Sequence, residues 1–331
     1  LLWWVAHHLL RLSTTKTPSR WNSLNVFTRK IPLMNSFSSS EMPASHPNDA
    51  NSRKVSPAAP SFVADSCEED TCEGCSAPAK AQLPPHWIRK HYPTVPTTME
   101  MIAMDAAPAE EVWLVTTDFQ TRGHGQVGTS WESDCGENLM FTFVYRPKDV
   151  RATEQFYLSE IACLAVAQTL DAYVEGVSVK WPNDVYVGEK KICGMLLNHQ
   201  LKGAMVESTM VGIGINVNQS QFVSDAPNPI SLQQLLGHRI DTEEVLERFV
   251  HHFETLYTWW IRGEKTRLRN LYQQRLFRRE GQHLYLDSAT GEVFSATIEQ
   301  VAPTGLLTLR DSAGALRTFD FKAVQFQLAT S

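Results

Sequence analysis

VSVKWPNDVYVGEKKICGMLL, residues 177 to 197, sets three short apolar runs around two turns. Val177 to Lys180, Val185 to Val187 and Ile192 to Leu197 are too brief for helices and rich in β-branched side chains. Trp-Pro-Asn-Asp and Gly-Glu-Lys separate them, so the pattern predicts consecutive strands joined by tight turns. Val206 to Val217 extends the series as a further strand. Upstream, Glu154 to Tyr173 repeats apolar residues at Tyr157, Ile161, Leu164, Ala165 and Leu170, the spacing of a helix with one core-facing side. Earlier still, a short helix is expected from Thr98 to Ala106, then a strand from Val112 to Thr117, a glycine-punctuated loop from Arg122 to Gly128, and a strand from Leu139 to Tyr145. A helix followed by successive short strands predicts an α+β fold with a mixed or antiparallel sheet.

Downstream, Asp241 with Glu244 three residues later forms a capping-box-like helix start, and Val245, Phe249, Phe253, Leu256 and Trp260 make the apolar stripe of that helix. Beyond Gly281 short strands alternate with Ser-Ala-Thr-Gly, Pro-Thr-Gly and Ser-Ala-Gly turns, which predicts a small β-barrel of about 50 residues. Residues 1–83 read as a disordered or targeting-like extension, 84–278 as the main domain and 279–331 as the barrel. The first 40 residues lack Asp and Glu but carry Arg11, Lys16, Arg20, Arg29 and Lys30. That is the composition of an organellar transit peptide; alternatively, translation starts at Met34 or Met42. The expected location is the cytoplasm, or a mitochondrion or plastid if the leader is genuine.

An apolar fraction of 43% and a charged fraction of 20% are ordinary for a globular protein. A net charge of -6 argues against a nucleic-acid binder, which needs a basic face to displace counterions. LLWWVAHHLL at residues 1–10 is too short to cross a bilayer. Unpaired cysteine spacing suits reduced thiols, with Cys135, Cys163 and Cys193 in packed segments. Cys67, Cys72 and Cys75 have the spacing of three iron–sulfur ligands, but an acidic tail without a fourth ligand is read as unstructured.

Three segments carry the chemistry: Phe119 to Trp131 (FQTRGHGQVGTSW), Lys180 to Asp184 (KWPND) with KKICGML after it, and Gly212 to Asn218 (GIGINVN). Gly123, Gly125 and Gly128 let backbone N–H groups approach an anion, although such loops are also ordinary hairpin connections. KWPND sets a rigid turn and two polar side chains at a strand end; Asn183 and Asp184 either serve a ligand or simply close that turn. Lys191 begins an apolar strand, where it snorkels to solvent or meets an anion.

In this order the segments resemble those of biotin protein ligases, also called holocarboxylase synthetases, of the monofunctional type without a DNA-binding domain. The resemblance covers roughly Thr97 to Asn218, with weaker support through the C-terminal barrel. It implies a catalytic domain of the biotin/lipoate ligase type with an SH3-like C-terminal barrel. It also implies ATP-dependent activation of biotin to biotinyl-5′-AMP, with pyrophosphate released, and transfer to a lysine of a biotin-dependent carboxylase or its biotin carboxyl carrier protein. Biotin, ATP and Mg2+ are the implied ligands, and the expected state is a monomer or homodimer that contacts neither nucleic acid nor membrane. By the same resemblance biotin lies at Thr97, Thr98, Met99, Gln120, His124, Gly125, Gln126, Lys191 and Gly194. ATP lies at Arg122, Gly128, Trp131, Asn183 and Asn216. Lys191 and Asp184 are the implied catalytic pair, with no dedicated protein metal site.

The chain departs from the commonest family loop, which has arginines where His124 and Gln126 stand. An arginine fork is a strong phosphate and carboxylate donor, so a looser hold on the activated intermediate is expected unless Arg122 supplies the cation. Met99 stands where relatives carry a polar residue. A lipoate or octanoate protein ligase and an inactive biotin-binding relative are the competing readings; KWPND favours biotin, and retention of Lys191, Asn183 and Asn216 favours activity.

Overall fold

In the computed structural model the described residues are 81–104, 109–125, 130–224 and 228–327. The expectations for residues 1–80, including the leader and Cys67, Cys72 and Cys75, and those for Gln126 and Gly128, lie outside them. Seven strands form the main sheet: β1 (Trp87–Val95), β2 (Val112–Gln120), β3 (Leu139–Tyr145), β4 (Val177–Lys180), β5 (Asp184–Val187), β6 (Lys190–Lys202) and β7 (Met205–Ile215). They are ordered β1-β2-β3-β7-β6-β5-β4. β1 and β2 run parallel and every other neighbouring pair is antiparallel. The fold is thus α+β with a mixed sheet.

Strand periodicity divides this sheet into two unlike faces. Phe141, Phe143, Tyr145, Val211 and Ile213 point to the helices and join one large core. That core is lined by α1 (Phe156–Leu170), α2 (Leu232–Leu236), α3 (Thr242–Ile261) and α4 (Lys265–Gln274). Phe143 meets Phe253 of α3 edge-on with ring centroids 4.9 Å apart, and Phe141 meets Phe249 at 5.0 Å. The expected stripe of α3 is buried throughout. Only half of its capping box forms: Asp241 accepts from the Glu243 N–H at 2.9 Å, whereas Glu244 turns to Arg248 one helical turn on. A complete box occurs instead at Ser231 and Gln234 of α2.

Two expected helices differ. The spacing in α1 predicts one buried side, yet all of its residues but Gln168 are buried, because the helix is enclosed between the sheet, α3 and α4. At Thr98–Met101 there is a single 3-10 turn. The Thr98 N–H and hydroxyl are drawn to Gln120, at 2.8 and 3.2 Å, and hold the turn against β2. Cys163 and Cys193 are free and buried as expected of reduced thiols; Cys135, on an exposed turn, is disulfide-bonded and corrects that expectation.

The C-terminal residues form a five-stranded antiparallel sheet, compatible with an SH3-like domain: β8 (His283–Asp287), β9 (Val293–Val301), β10 (Leu307–Asp311), β11 (Leu316–Phe319) and β12 (Val324–Phe326). Gly305, in the β9–β10 turn, has a φ of 90°, and a Cβ there would lie 2.8 Å from Phe156. Only glycine lets this turn seat on α1. Between the sheets, residues 275–277 bond to the outer side of β4, with Val179 N–H to Arg275 O at 2.7 Å and Phe277 N–H to Val179 O at 2.8 Å. None of the described helices is long and apolar enough to cross a membrane.

One charge lies deep in this packing. Glu160 of α1 is fully buried, pairs with Arg269 of α4 at 3.0 Å, and leaves Oε2 without a hydrogen-bond partner among the described residues. Burial pushes its carboxyl up to about 7 from an ordinary 4.5, against the opposing pull of Arg269. A carboxyl raised on folding favours the fold while protonated, so this contribution is complete below about pH 4.5 and is lost as pH rises through about 7. Glu160 should therefore contribute on the order of 3 kcal/mol less to stability at pH 8 than at pH 5, against the buried His199, whose value is lowered to about 4 and whose contribution runs the other way. Calorimetry of Glu160→Gln should show that part of the pH dependence removed; an unchanged dependence would refute the assignment.

Candidate active site

Strand register decides which groups meet on the face opposite the helices. Tyr92, Thr117, Met140, Gly214, Gly194, Asp184 and Lys180 are successive cross-strand partners from β1 to β4. Directly opposed residues project from one side of a sheet, so this row crosses the face as a line. Its centre is bare backbone at Gly214 and Gly194. The Trp131 indole covers that floor: a Cβ on Gly214 would lie 2.6 Å from its Cζ2, and one on Gly194 would lie 3.1 Å from its Cζ3. Trp131 Nε1 is buried there without a hydrogen-bond partner among the described residues. One step along the sheet, Gly212 lies beneath Met99, whose sulfur would be 2.8 Å from an added Cβ.

Charge enters at the edge of the floor. Lys191 Nζ lies 2.8 Å from Asp184 Oδ1, with both side chains about one-quarter exposed, and Lys191 also flanks Gly194. The turn of KWPND is held by its own side chains. Asn183 Nδ2 donates to Met195 O, and Trp181 Nε1 donates to Gly305 O at 2.8 Å, which fastens the turn to the C-terminal sheet. Asn216 is buried and donates to Ile230 O at 3.1 Å. On the other side of the glycines, Thr98 Oγ1 bonds Thr142 Oγ1 at 2.8 Å and Gln120 at 3.2 Å. Thr97 caps the 3-10 turn.

The structure thus gathers Thr98, Gln120, Met99, Trp131, Lys191, Gly194 and Asp184 around one glycine floor. Asn183 and Asn216 stand beside it with their amide nitrogens engaged by backbone. His124 and Arg122 lie apart on the exposed loop, Arg122 paired with Glu100 at 3.1 Å. That loop closes through an N–H of Trp131 to Gly123 O at 3.0 Å and a His124–Ser130 bridge, with Gly125 inside it. The sequence reading missed Glu132, which accepts the N–H groups of Val223 and Ser224 at 2.8 and 2.9 Å and so ties the loop exit to residues 219–224. Burial alone would raise its carboxyl, but the hydrogen bonds from Ser224 and Val223 outweigh it and hold the value below the usual range. It also missed Asn138 and Gln219, bonded at 2.6 Å, with Asn138 Oδ1 accepting the Val217 N–H at 2.9 Å. Both lie in polar runs whose partners are about 80 residues distant, so no local spacing reveals them.

Comparison with known proteins finds similarity over the residues that build this site. Residues 92–218 match the Biotin/lipoate A/B protein ligase family. The bifunctional ligase/repressor BirA of Bacillus spizizenii is 32% identical over 183 residues, which are 53% of this chain and 54% of that protein. The chain therefore spans about half the length of that relative. A biotin--[acetyl-CoA-carboxylase] ligase of Paracoccus denitrificans is 28% identical over 66% of this chain and 92% of its own length. In fold, the chain resembles a biotin protein ligase from Aquifex aeolicus solved in complex with biotin and ATP. The TM-score is 0.60 at 21% identity, over 73% of this chain and 99% of that one.

The floor accepts no added atom. Gly214→Ala should drive the indole out, at about 1–3 kcal/mol of stability for overpacking. The fluorescence attributable to Trp131, taken as the difference from Trp131→Phe, should shift to longer wavelength in Gly214→Ala; an unshifted difference spectrum would contradict the contact.

Proposed function

We propose that this chain, whose residues 92–218 match the Biotin/lipoate A/B protein ligase family, is a biotin protein ligase. It activates biotin with ATP and passes the biotinyl group to a lysine of another protein. The observation that carries the reading is the Lys191 ammonium, 2.8 Å from Asp184 and flanking a glycine floor. A fixed cation at the edge of that floor offsets the repulsion between two anions, a carboxylate and a triphosphate.

In the first step a biotin carboxylate oxygen attacks the α-phosphorus of ATP, a P–O bond forms, and pyrophosphate leaves with the broken bond's electrons. Lys191 offsets the charge that gathers between the two anions. Thr97, Thr98, Met99, Gln120 and Gly194 hold biotin beside the floor, where the hydroxyls and the Gln120 amide suit a polar ring head; the family resemblance adds His124, Gly125 and Gln126 of the adjoining loop. Arg122, Gly128, Trp131, Asn183 and Asn216 hold the nucleotide; an indole lying flat over glycine backbone suits a planar base. Mg2+ would arrive on the triphosphate, with Asn183, Asp184 and Asn216 near it and no dedicated protein metal site. Bound there, the cation withdraws charge from the leaving phosphates.

In the second step the neutral amine of the acceptor lysine attacks the acyl carbon, AMP departs, and Asp184 takes the proton that the amine sheds. Positioning dominates this step, because the mixed anhydride is already reactive. The acceptor is a biotin-dependent carboxylase or its carrier domain. The catalytic work belongs to residues 84–278, with 279–331 as a covering domain, acting in the cytoplasm as a monomer or homodimer.

Incubation with biotin, MgATP and a biotin-acceptor domain should raise the acceptor's mass by one biotinyl group, with biotin preferred over added lipoate. An unchanged acceptor mass together with no biotinyl-AMP would sink the proposal. Lys191→Ala should lower adenylate formation by roughly 10²-fold or more while the fold persists, and near-normal turnover by that variant would remove its assigned role.

A further inference from the structure

We propose that Lys180 is a second fixed cation of this site, a binding group for the nucleotide's polyphosphate whose position is set by the C-terminal sheet through Phe326. The assignment rests on the ligase reading above. Lys180 ends the row that contains Gly214, Gly194 and Asp184, and it is the direct cross-strand partner of Asp184, so its side chain shares their face. Asp184 is taken by Lys191 at 2.8 Å, and among the described residues Lys180 forms no ion pair. Its ammonium is instead walled by two rings, 5.1 Å from the centroid of Tyr186 on β5 and 5.5 Å from that of Phe326 on β12.

Aromatic walls differ from a carboxylate in what they leave behind. A ring's negative face stabilises an ammonium without cancelling its charge. Around Lys180 the other charges pair off: Lys191 with Asp184, and Arg278 with Glu189 at 2.8 Å. Those four sum to zero, and among the described residues Lys180 forms no ion pair that would cancel its own charge. Adenylation brings a polyanion to this end of the glycine floor, and a cation already paired with a carboxylate cannot balance it alone.

Phe326 makes the arrangement depend on the C-terminal sheet. Its ring also packs on Tyr285 at 5.0 Å and Phe277 at 6.2 Å, and Arg278 donates to the neighbouring Gln327 O at 2.7 Å. Burial lowers the pKa of Lys180; Lys191 and Arg278 lower it further and Asp184 opposes them.

Biotin-dependent exchange of labelled pyrophosphate into ATP tests this in the full chain. Exchange by the unmodified protein tests the ligase reading itself, and its absence would overturn that reading and this one together. Given exchange, Lys180→Met should raise the KM for MgATP by roughly tenfold or more, the loss of a charge-assisted contact. The Kd for biotin alone should stay within about twofold, and Lys180→Arg should recover most of the loss. Phe326→Ala should raise the KM for MgATP in the same direction as Lys180→Met, and an unchanged KM would remove the role given to Phe326. A MgATP KM for Lys180→Met within about twofold of the unmodified protein, or a parallel loss of biotin affinity, would overturn the assignment.

Discussion

One row of cross-strand partners crosses all seven strands, and the pairing of Gly194 with Gly214 at its centre is the constraint from which the site follows. Glycine in a strand interior sacrifices about 0.5–1 kcal/mol relative to alanine. The opposite face offsets that loss. There Trp87, Phe143, Phe253 and Tyr145 form a continuous aromatic cluster, with neighbouring centroids between 4.9 and 5.8 Å. Such a stiff, densely packed face lets the strands of the other carry glycines that the Trp131 indole covers. A slip of one residue would exchange the faces and fill the floor with Ile215 or Ile213 side chains.

The C-terminal sheet belongs to the same device. Gly305 receives the Trp181 indole N–H, Phe321 lies 5.4 Å from the Trp181 ring, and the carbonyl of Val301 accepts from both Arg269 and Gln273 of α4. Contacts at both Lys180 and Trp181 mean that the turn presenting Asn183 and Asp184 is braced from outside the sheet that contains it. An appended module of this kind acts as part of the scaffold that holds the turn.

Much of this was legible in the chain. The apolar runs flanking KWPND announced β4, β5 and β6, and the stripe from Val245 to Trp260 announced α3, because each depends on local period. Turn glycines at Gly291, Gly305 and Gly314 marked the small sheet, since each needs a positive φ. Full enclosure of α1 was not legible: Ala162, Ala165 and Ala167 fit an exposed surface as well as a crowded one, and only the surrounding elements decide. Nor was the collapse of Trp131 onto Gly214, some 80 residues away, which requires knowing the strand order. Lys180 stood in plain view within KWPND, yet its surroundings come from Tyr186 and Phe326, and the latter is remote in sequence.

The stitch formed by residues 275–277 bears on how the chain behaves in company. An open sheet has two unpaired rims, each able to recruit a strand from another molecule. Along β4 that rim is already occupied, since Val179 exchanges hydrogen bonds with Arg275 and Phe277. The opposite rim, β1, carries Lys90 and Pro93, an exposed charge and a residue with no N–H to offer. One rim is closed by backbone and the other discouraged by composition, so a crowded solution finds little to extend.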